Sequence, residues 1–384
     1  MSSAIDKILQ DAVEAGAVPN AVAVAADRNG VIYEGAAGPR AAGGSDQAGV
    51  DTHLRIASMT KMIATVAALQ QVEKGHLDLD APISRYCPEF AGIQVLEGFD
   101  GDTPKLRPPK SEATVKHLVT HTTGLGYWFW SEEVSRWEAA TGTPNVLSGS
   151  NVIFTAPMVA DPGTVFLYGI STDWLGKVVE AASGKTLDVA IKEGVTGPLG
   201  MGETEFIMTS GQRDDSMPVH VKGEAGRWVP TEIDFNQEPD YWAGGHGLYS
   251  TARDYLKFQQ ALLHGGTFGG VRILDEATVD AAFTNQIGDI DFPAVIATSD
   301  PNSSGPFEAG PGHKWGYGLL LNTADIPGRR RAGSGAWAGI FNTHFWVDRT
   351  SGITGAIYTQ FLPFVTPEAV TMYQDFETAL YASR

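Results

Sequence analysis

Apolar residues recur at helical spacing over residues 4–15, and this spacing predicts an amphipathic helix. Two apolar runs follow, Ala21 to Ala25 and Val31 to Tyr33. They flank Asn29-Gly30, a pair suited to a tight hairpin turn. The other end of the chain has a similar pattern. Thr343 to Val347 and Ile353 to Thr359 read as strands joined through Arg349-Thr350-Ser351-Gly352. A last helix is expected from Thr366-Pro367-Glu368, with Val370, Tyr373, Phe376 and Leu380 on its buried side. Hairpins at both termini, each beside a helix, predict one sheet built from both ends of the chain and covered by helices. The stretch between them holds short helical pieces, many Gly and Pro turns and few alternating strands. The expected fold class is α/β in the α+β sense, a central antiparallel sheet flanked by helices. Residues 1–80 and 241–384 are expected to form the sheet domain and residues 81–240 a mainly helical one, with the active site at their interface.

The segment 54–75 carries the clearest chemistry. Ser58-Met59-Thr60-Lys61 opens a helical pattern continued by Ile63, Val66, Ala67, Leu69 and Val72. Positions i and i+3 share one helix face, so the Ser58 hydroxyl and the Lys61 amine can meet. A hydroxyl needs a base to become a nucleophile, and a buried lysine with a lowered pKa can serve. The helix N-terminus favours negative charge on the serine oxygen. The plain alternative is a helix cap followed by a surface lysine. The apolar surroundings count against it.

Other segments join this chemistry with their own alternatives. Tyr168 follows the turn Asp161-Pro162-Gly163 and precedes Ser171-Thr172-Asp173, which is expected to cap a helix ending near Gly184. Tyr168 could exchange a proton with Lys61, or be an ordinary half-buried aromatic. Gly333 to Gly339 is rich in small residues and runs into a strand near Ile340. The backbone N–H groups of Ile340 and Ser58 could form an oxyanion hole, or the segment could be a plain turn. His246 lies in the crowded turn Gly244-Gly245-His246-Gly247, as a pocket residue or a structural one. The aromatic residues Tyr127, Trp128, Phe129, Trp130, Tyr241, Trp242 and Trp337 lie on segments expected to ring Ser58, and Tyr127, Trp128, Tyr241, Trp242, Trp337 and Gly339 are expected with His246 to line an apolar pocket.

Composition narrows the partners. The chain of 384 residues has 27 basic and 45 acidic residues, a net charge of −18, which argues against nucleic acid and anionic membranes. Cys87 is the single cysteine, so no intrachain disulfide can form, and no histidine spacing suggests a metal site. No metal or cofactor is expected. The N-terminus has no signal-peptide pattern and no apolar run is long enough to span a bilayer, so the expectation is a cytoplasmic protein. Its partner is expected to be a small-molecule ester, and the oligomeric state is left open.

Ser58-x-x-Lys61, His121-Thr122-Thr123-Gly124-Leu125, Tyr168 and the small-residue strand at 337–340 occur in an order that resembles the serine β-lactamase and penicillin-binding-protein superfamily. The resemblance spans nearly the whole chain and is nearest to the class C β-lactamase-like carboxylesterases, family VIII. Val95 to Asp100, Tyr168-Gly169 and Asp173-Trp174 are also similar to the fungal acyltransferases that act on a statin precursor. The resemblance implies an acyl-enzyme on Ser58, proton transfer through Lys61 and Tyr168, and an oxyanion hole from the backbones of Ser58 and Ile340. Two departures matter. Ile170 stands where β-lactamases place an asparagine, and Trp337-Ala338-Gly339 stands where they place Lys-Thr-Gly. An indole cannot supply the lysine's charge to a substrate carboxylate. Arg329, Arg330 and Arg331 lie upstream and could hold an anion, or form a solvated turn. The expected activity is a serine carboxylesterase acting on small to medium uncharged esters. The alternatives are an acyltransferase, a β-lactamase or D-Ala-D-Ala peptidase, and, from another class, a non-catalytic ligand-binding protein on this fold.

Overall fold

The computed structural model describes residues 2–383. Its centre is a seven-stranded sheet, built from β1 (Ala21–Asp27), β2 (Gly30–Ala37), β3 (His313–Trp315), β4 (Leu320–Asn322), β5 (Gly335–Gly339), β6 (Thr343–Asp348) and β7 (Ile353–Tyr358). The strands lie in the order β3-β4-β5-β6-β7-β1-β2. Every neighbouring pair is antiparallel. The first hairpin pairs with the last strand of the chain, Val24 opposite Ala356, so both termini close one sheet. The antiparallel sheet with covering helices agrees with the expected fold class.

Among the described residues the five longest α-helices are α1 (Ser2–Glu14), α2 (Thr60–Glu73), α3 (Ser171–Ser183), α4 (Ala252–Leu263) and α5 (Pro367–Ala382). The side-chain alternation of a strand explains how the sheet is sandwiched. Ala21, Ala23 and Ala25 face a core shared with Ile5 and Leu9 of α1 and Phe376 and Leu380 of α5. Val22 and Val24 point the other way, into the core of Met62, Ile63, Tyr255 and Phe258. Both faces of β1 are therefore buried, as its unbroken apolar run requires.

Helix α2 is buried on nearly all sides. A helix apolar all round belongs in the interior rather than on a surface. Its polar residues are satisfied there: the Gln70 amide donates to the carbonyls of Gly194 (2.7 Å) and Ile273 (2.9 Å). Helix α3 departs from expectation at its start. Ser171 to Asp173 form its first turn, the N-cap is Ile170, and no side chain caps it. Ser171 instead hydrogen-bonds Thr123 at 2.7 Å. Asp173 turns into the interior. In α5, Thr366 caps the helix and Phe376 and Leu380 are buried as expected, whereas Val370 and Tyr373 are only partly so.

The arginine triplet is also more ordered than a solvated turn. Arg330 is buried and paired with Glu377 of α5 through Nε–Oε1 and Nη2–Oε2 contacts, both 2.8 Å. Its backbone N–H donates to the same carboxylate. Arg331 is exposed beside Asp325. Burying an unpaired guanidinium would be costly, so only the carboxylate on the adjacent helix makes this placement stable.

Candidate active site

Ser58 lies in a 3₁₀ turn, Ala57–Met59, that leads directly into α2. The residue before it, Ala57, has φ of 45°, unusual for a residue with a Cβ. The turn is held from several sides. The Tyr255 hydroxyl donates to the Met59 carbonyl at 3.0 Å, and the Leu248 N–H donates to Thr60 Oγ1 at 3.1 Å. Gln360 bridges both backbone groups of Arg55. Ser58 itself is only half-buried among buried neighbours, so its hydroxyl remains reachable.

One turn later the Lys61 side chain is fully buried. Its Nζ lies 3.2 Å from Ser58 Oγ, 3.0 Å from the Tyr127 hydroxyl and 2.7 Å from the Gly245 carbonyl. The Ser58–Lys61 contact expected from helical spacing is thus present. Burial lowers the Lys61 pKa, and the Asp173 carboxylate opposes that shift. Asp173 is wholly buried, and burial raises its own pKa against the pull of Lys61. It accepts the Gly245 N–H at 3.0 Å and faces the Tyr127 hydroxyl at 3.5 Å. Gly245 therefore joins both charged groups through its two backbone atoms. A Cβ at this position would collide with the Asp173 carboxylate, which accounts for the glycine.

Tyr168 approaches from the loop before α3. Its hydroxyl hydrogen-bonds Ser58 and accepts the Trp337 indole N–H at 2.8 Å. Burial pushes its pKa up, while those two hydrogen bonds favour the phenolate. The phenol is therefore protonated at neutral pH and suits donation better than abstraction. The Lys61 nitrogen sits 4.6 Å from the centre of the Tyr168 ring. His121 packs against the same ring at 4.7 Å and, deeply buried, stays neutral.

A small crevice of about 10 Å³ opens over Ser58, walled by Phe129, Trp130, Tyr168, Trp337, Gly339 and Ile340, with Ala338 and Phe364. Gly339 is required by close approach, since a Cβ would strike the Ile56 carbonyl and Thr343 Oγ1. Of the residues expected around the pocket, Trp337 and Gly339 line this crevice. Tyr127 is buried behind Lys61. Trp128 donates to Asp300 (3.3 Å), Tyr241 packs on Phe154 and Trp242 on Phe206, each drawn into packing away from the crevice. His246 is buried with Nδ1 3.8 Å from Asp173, and burial holds it neutral, at about 3. Phe129, Trp130 and Phe364 line the crevice instead. The aromatic run 127–130 flagged the first two, but no local pattern flagged Phe364. Asp173 was also missed, because a Ser-Thr-Asp triplet before a helix is equally a capping signal.

The Beta-lactamase family profile matches residues 5–380. The chain belongs to the Beta-lactamase family. It is 32% identical to the lovastatin esterase of Penicillium rubens over 91% of each chain. It is 29% identical to the esterase EstB of Burkholderia gladioli, over 94% of this chain and 90% of that one. The unliganded simvastatin synthase LovD of Aspergillus terreus superposes with a TM-score of 0.86 at 27% identity, covering 99% of this chain and 97% of that one. This chain is a serine hydrolase of the family, and esterases and acyltransferases are among its relatives.

The Lys61 environment makes a pH dependence testable. A base must be deprotonated, so activity should rise with pH along an acidic limb whose midpoint lies well below 10.5, the ordinary lysine value. Asp173 raises the Lys61 pKa, so Asp173→Asn should move that limb to lower pH. Profiles of kcat/KM for an uncharged ester measure both. An unmoved or upward-moved limb in Asp173→Asn would remove Asp173 from the electrostatics of the site.

Proposed function

We propose that this protein is a carboxylesterase of the family VIII type, cleaving uncharged esters through an acyl-enzyme on Ser58. The observation that carries the reading is the convergence of Lys61 Nζ and the Tyr168 hydroxyl on one reachable serine. In acylation, Ser58 Oγ bonds to the ester carbonyl carbon and its proton passes to the Lys61 amine. The backbone N–H groups of Ser58 and Ile340 stabilise the oxyanion. The carbon–alkoxide bond then breaks, Tyr168 protonates the leaving oxygen, and the proton held by Lys61 restores the phenol. Water attacks the acyl carbon by the same path in reverse and releases the acid.

Trp337 argues for uncharged substrates. Its indole N–H is already committed to Tyr168, and it occupies the strand position where a lysine would hold a carboxylate. A hydrogen bond to a charged group contributes about 1.5–3 kcal/mol, so its absence should cost a carboxylate-bearing substrate on the order of 10–150-fold. Short neutral esters should therefore exceed penicillins and D-Ala-D-Ala peptides in kcat/KM by about 100-fold. A β-lactam outperforming every ester of a chain-length series would overturn this assignment.

The relatives support a second reading, transfer of the acyl group to an alcohol. The chain is 30% identical over 87% of its length to a protein named monacolin J acid methylbutanoyltransferase, from Aspergillus terreus. Both activities use the same acyl-enzyme and differ in what attacks it. We favour hydrolysis, because water at about 55 M must be excluded before a dilute alcohol can compete. The same assays, run with millimolar alcohol, separate the two by chromatography of acid and new ester. Mostly new ester makes the protein a transferase.

A further inference from the structure

A cavity far larger than the crevice does not lie over Ser58. It measures about 640 Å³ and lies on the other side of the Trp337–Ala338 wall. The crevice over Ser58 has room for little more than one water or an ester carbonyl, whereas the cavity is in the range of small-molecule sites. The two spaces share Trp337, Ala338 and Phe364. A substrate bonded to Ser58 must place its bulk elsewhere, and this cavity adjoins the same wall.

Strand geometry shapes it. Ala336 and Ala338 alternate with Trp337 along β5, so the two small residues face one side and the indole the other. The short side chains leave the space open beneath the N-terminal part of α5. Phe307, Leu320, Ile326, Ala336 and Val370 make its walls apolar. His344 also lines it, stacked between Phe364 and Tyr373, and its Nε2 has no hydrogen-bond partner. Arg329 stands at the margin, 3.8 Å from a Glu377 carboxylate that Arg330 already holds. The exposed Glu308 faces the same space, so the polar groups there carry both signs.

Which half of an ester lies there follows from the proton path. The leaving oxygen must come within reach of the Tyr168 hydroxyl, which bonds the Trp337 indole. Trp337 is the residue that separates crevice from cavity. The group attached to the leaving oxygen therefore runs along Trp337 and past Ala338. We propose that this cavity seats the alcohol part of the ester, and that the preferred substrates are esters of bulky, uncharged, largely apolar alcohols. The proposal rests on the esterase reading above. An acceptor alcohol in acyl transfer would occupy the same space, since it attacks along the path by which the first alcohol left.

The test varies one half of the ester at a time. Ethyl, cyclohexyl and 1-naphthylmethyl acetate vary the alcohol; ethyl acetate, butyrate and octanoate vary the acyl chain. The wild-type protein should prefer the bulky alcohols. Val370→Trp, which fills the cavity from α5, should lower the ratio of kcat/KM for naphthylmethyl over ethyl acetate by about tenfold or more. Ala336→Leu, filling it from β5, should do the same, and the acyl series should keep its order in both. A ratio unchanged in both folded variants, or a changed acyl series with an unchanged alcohol series, overturns the subsite and leaves the esterase reading standing. Absence of hydrolysis of every ester by the wild-type protein overturns both.

Discussion

Ser58→Ala is expected to fold normally and to lose ester hydrolysis by about 10⁴-fold or more. Ser58 Oγ is the oxygen on which Lys61 and Tyr168 converge, 3.2 Å from the lysine nitrogen and hydrogen-bonded to the phenol. Without it no acyl-enzyme forms, and the surrounding donors can only polarise a bound ester. The residue is half-buried and its hydroxyl is not a structural bond of α2, so removing it leaves the turn anchored by Tyr255 and Leu248. Lys61→Met keeps a long apolar side chain in the same buried space and removes the base. Tyr168→Phe keeps the ring against Trp337 and His121 and removes the donor. Each should be severely impaired, and the double variant should be little worse than the poorer single one, because both act on one proton path. Circular dichroism checks the fold and initial rates on a p-nitrophenyl ester check the chemistry. Near-full activity in Ser58→Ala would overturn the mechanism. Additive losses in the double variant would separate the roles given to Lys61 and Tyr168.

The largest expected effect on stability is at Glu377. Its carboxylate accepts three hydrogen bonds from Arg330, at 3.1, 2.8 and 2.8 Å, and the Arg330 guanidinium also donates to the Tyr373 hydroxyl at 2.6 Å. Both side chains are buried where α5 covers the sheet. Glu377→Ala strands a guanidinium in an apolar interior, and breaking such a pair costs about 3–5 kcal/mol. Arg330→Met combined with Glu377→Leu removes both charges together and should cost far less, since neither desolvation nor an unpaired ion remains. Urea midpoints of the single and double variants give the comparison. A loss below about 1 kcal/mol in Glu377→Ala would mean that the guanidinium finds water or another carboxylate, and that the pair does not anchor α5.

Much of this arrangement was legible in the chain before folding. The i, i+3 spacing of Ser58 and Lys61 dictates their contact, because it depends only on helix geometry. The two terminal hairpins declared themselves through apolar runs on either side of Asn29-Gly30 and of Arg349-Thr350-Ser351-Gly352, and both strand faces of β1 read as apolar because helices cover both sides. The cap at Thr366 and the buried positions Phe376 and Leu380 followed from local pattern alone. Tyr168 and Trp337 were singled out by order along the chain.

What only the tertiary structure decided are contacts between distant segments with no common period. Asp173 looks like a capping residue by sequence. Its place beside Lys61 depends on Gly245, which lies far along the chain and lets the backbone pass close to the carboxylate. Tyr127 became part of the lysine's environment rather than a pocket wall for the same reason. Trp128, Tyr241, Trp242 and His246 satisfy any aromatic-pocket pattern, yet each finds its partners away from the crevice, while Phe364 enters from the segment before α5. Arg330 could be a solvated turn residue until Glu377 is placed beside it. The sequence by itself determined the helix that carries the nucleophile, the strands that position it and the residue types able to do the chemistry. Folding decided which charges neutralise one another and where open space remains, because burial and pairing depend on groups that meet only when the chain closes on itself.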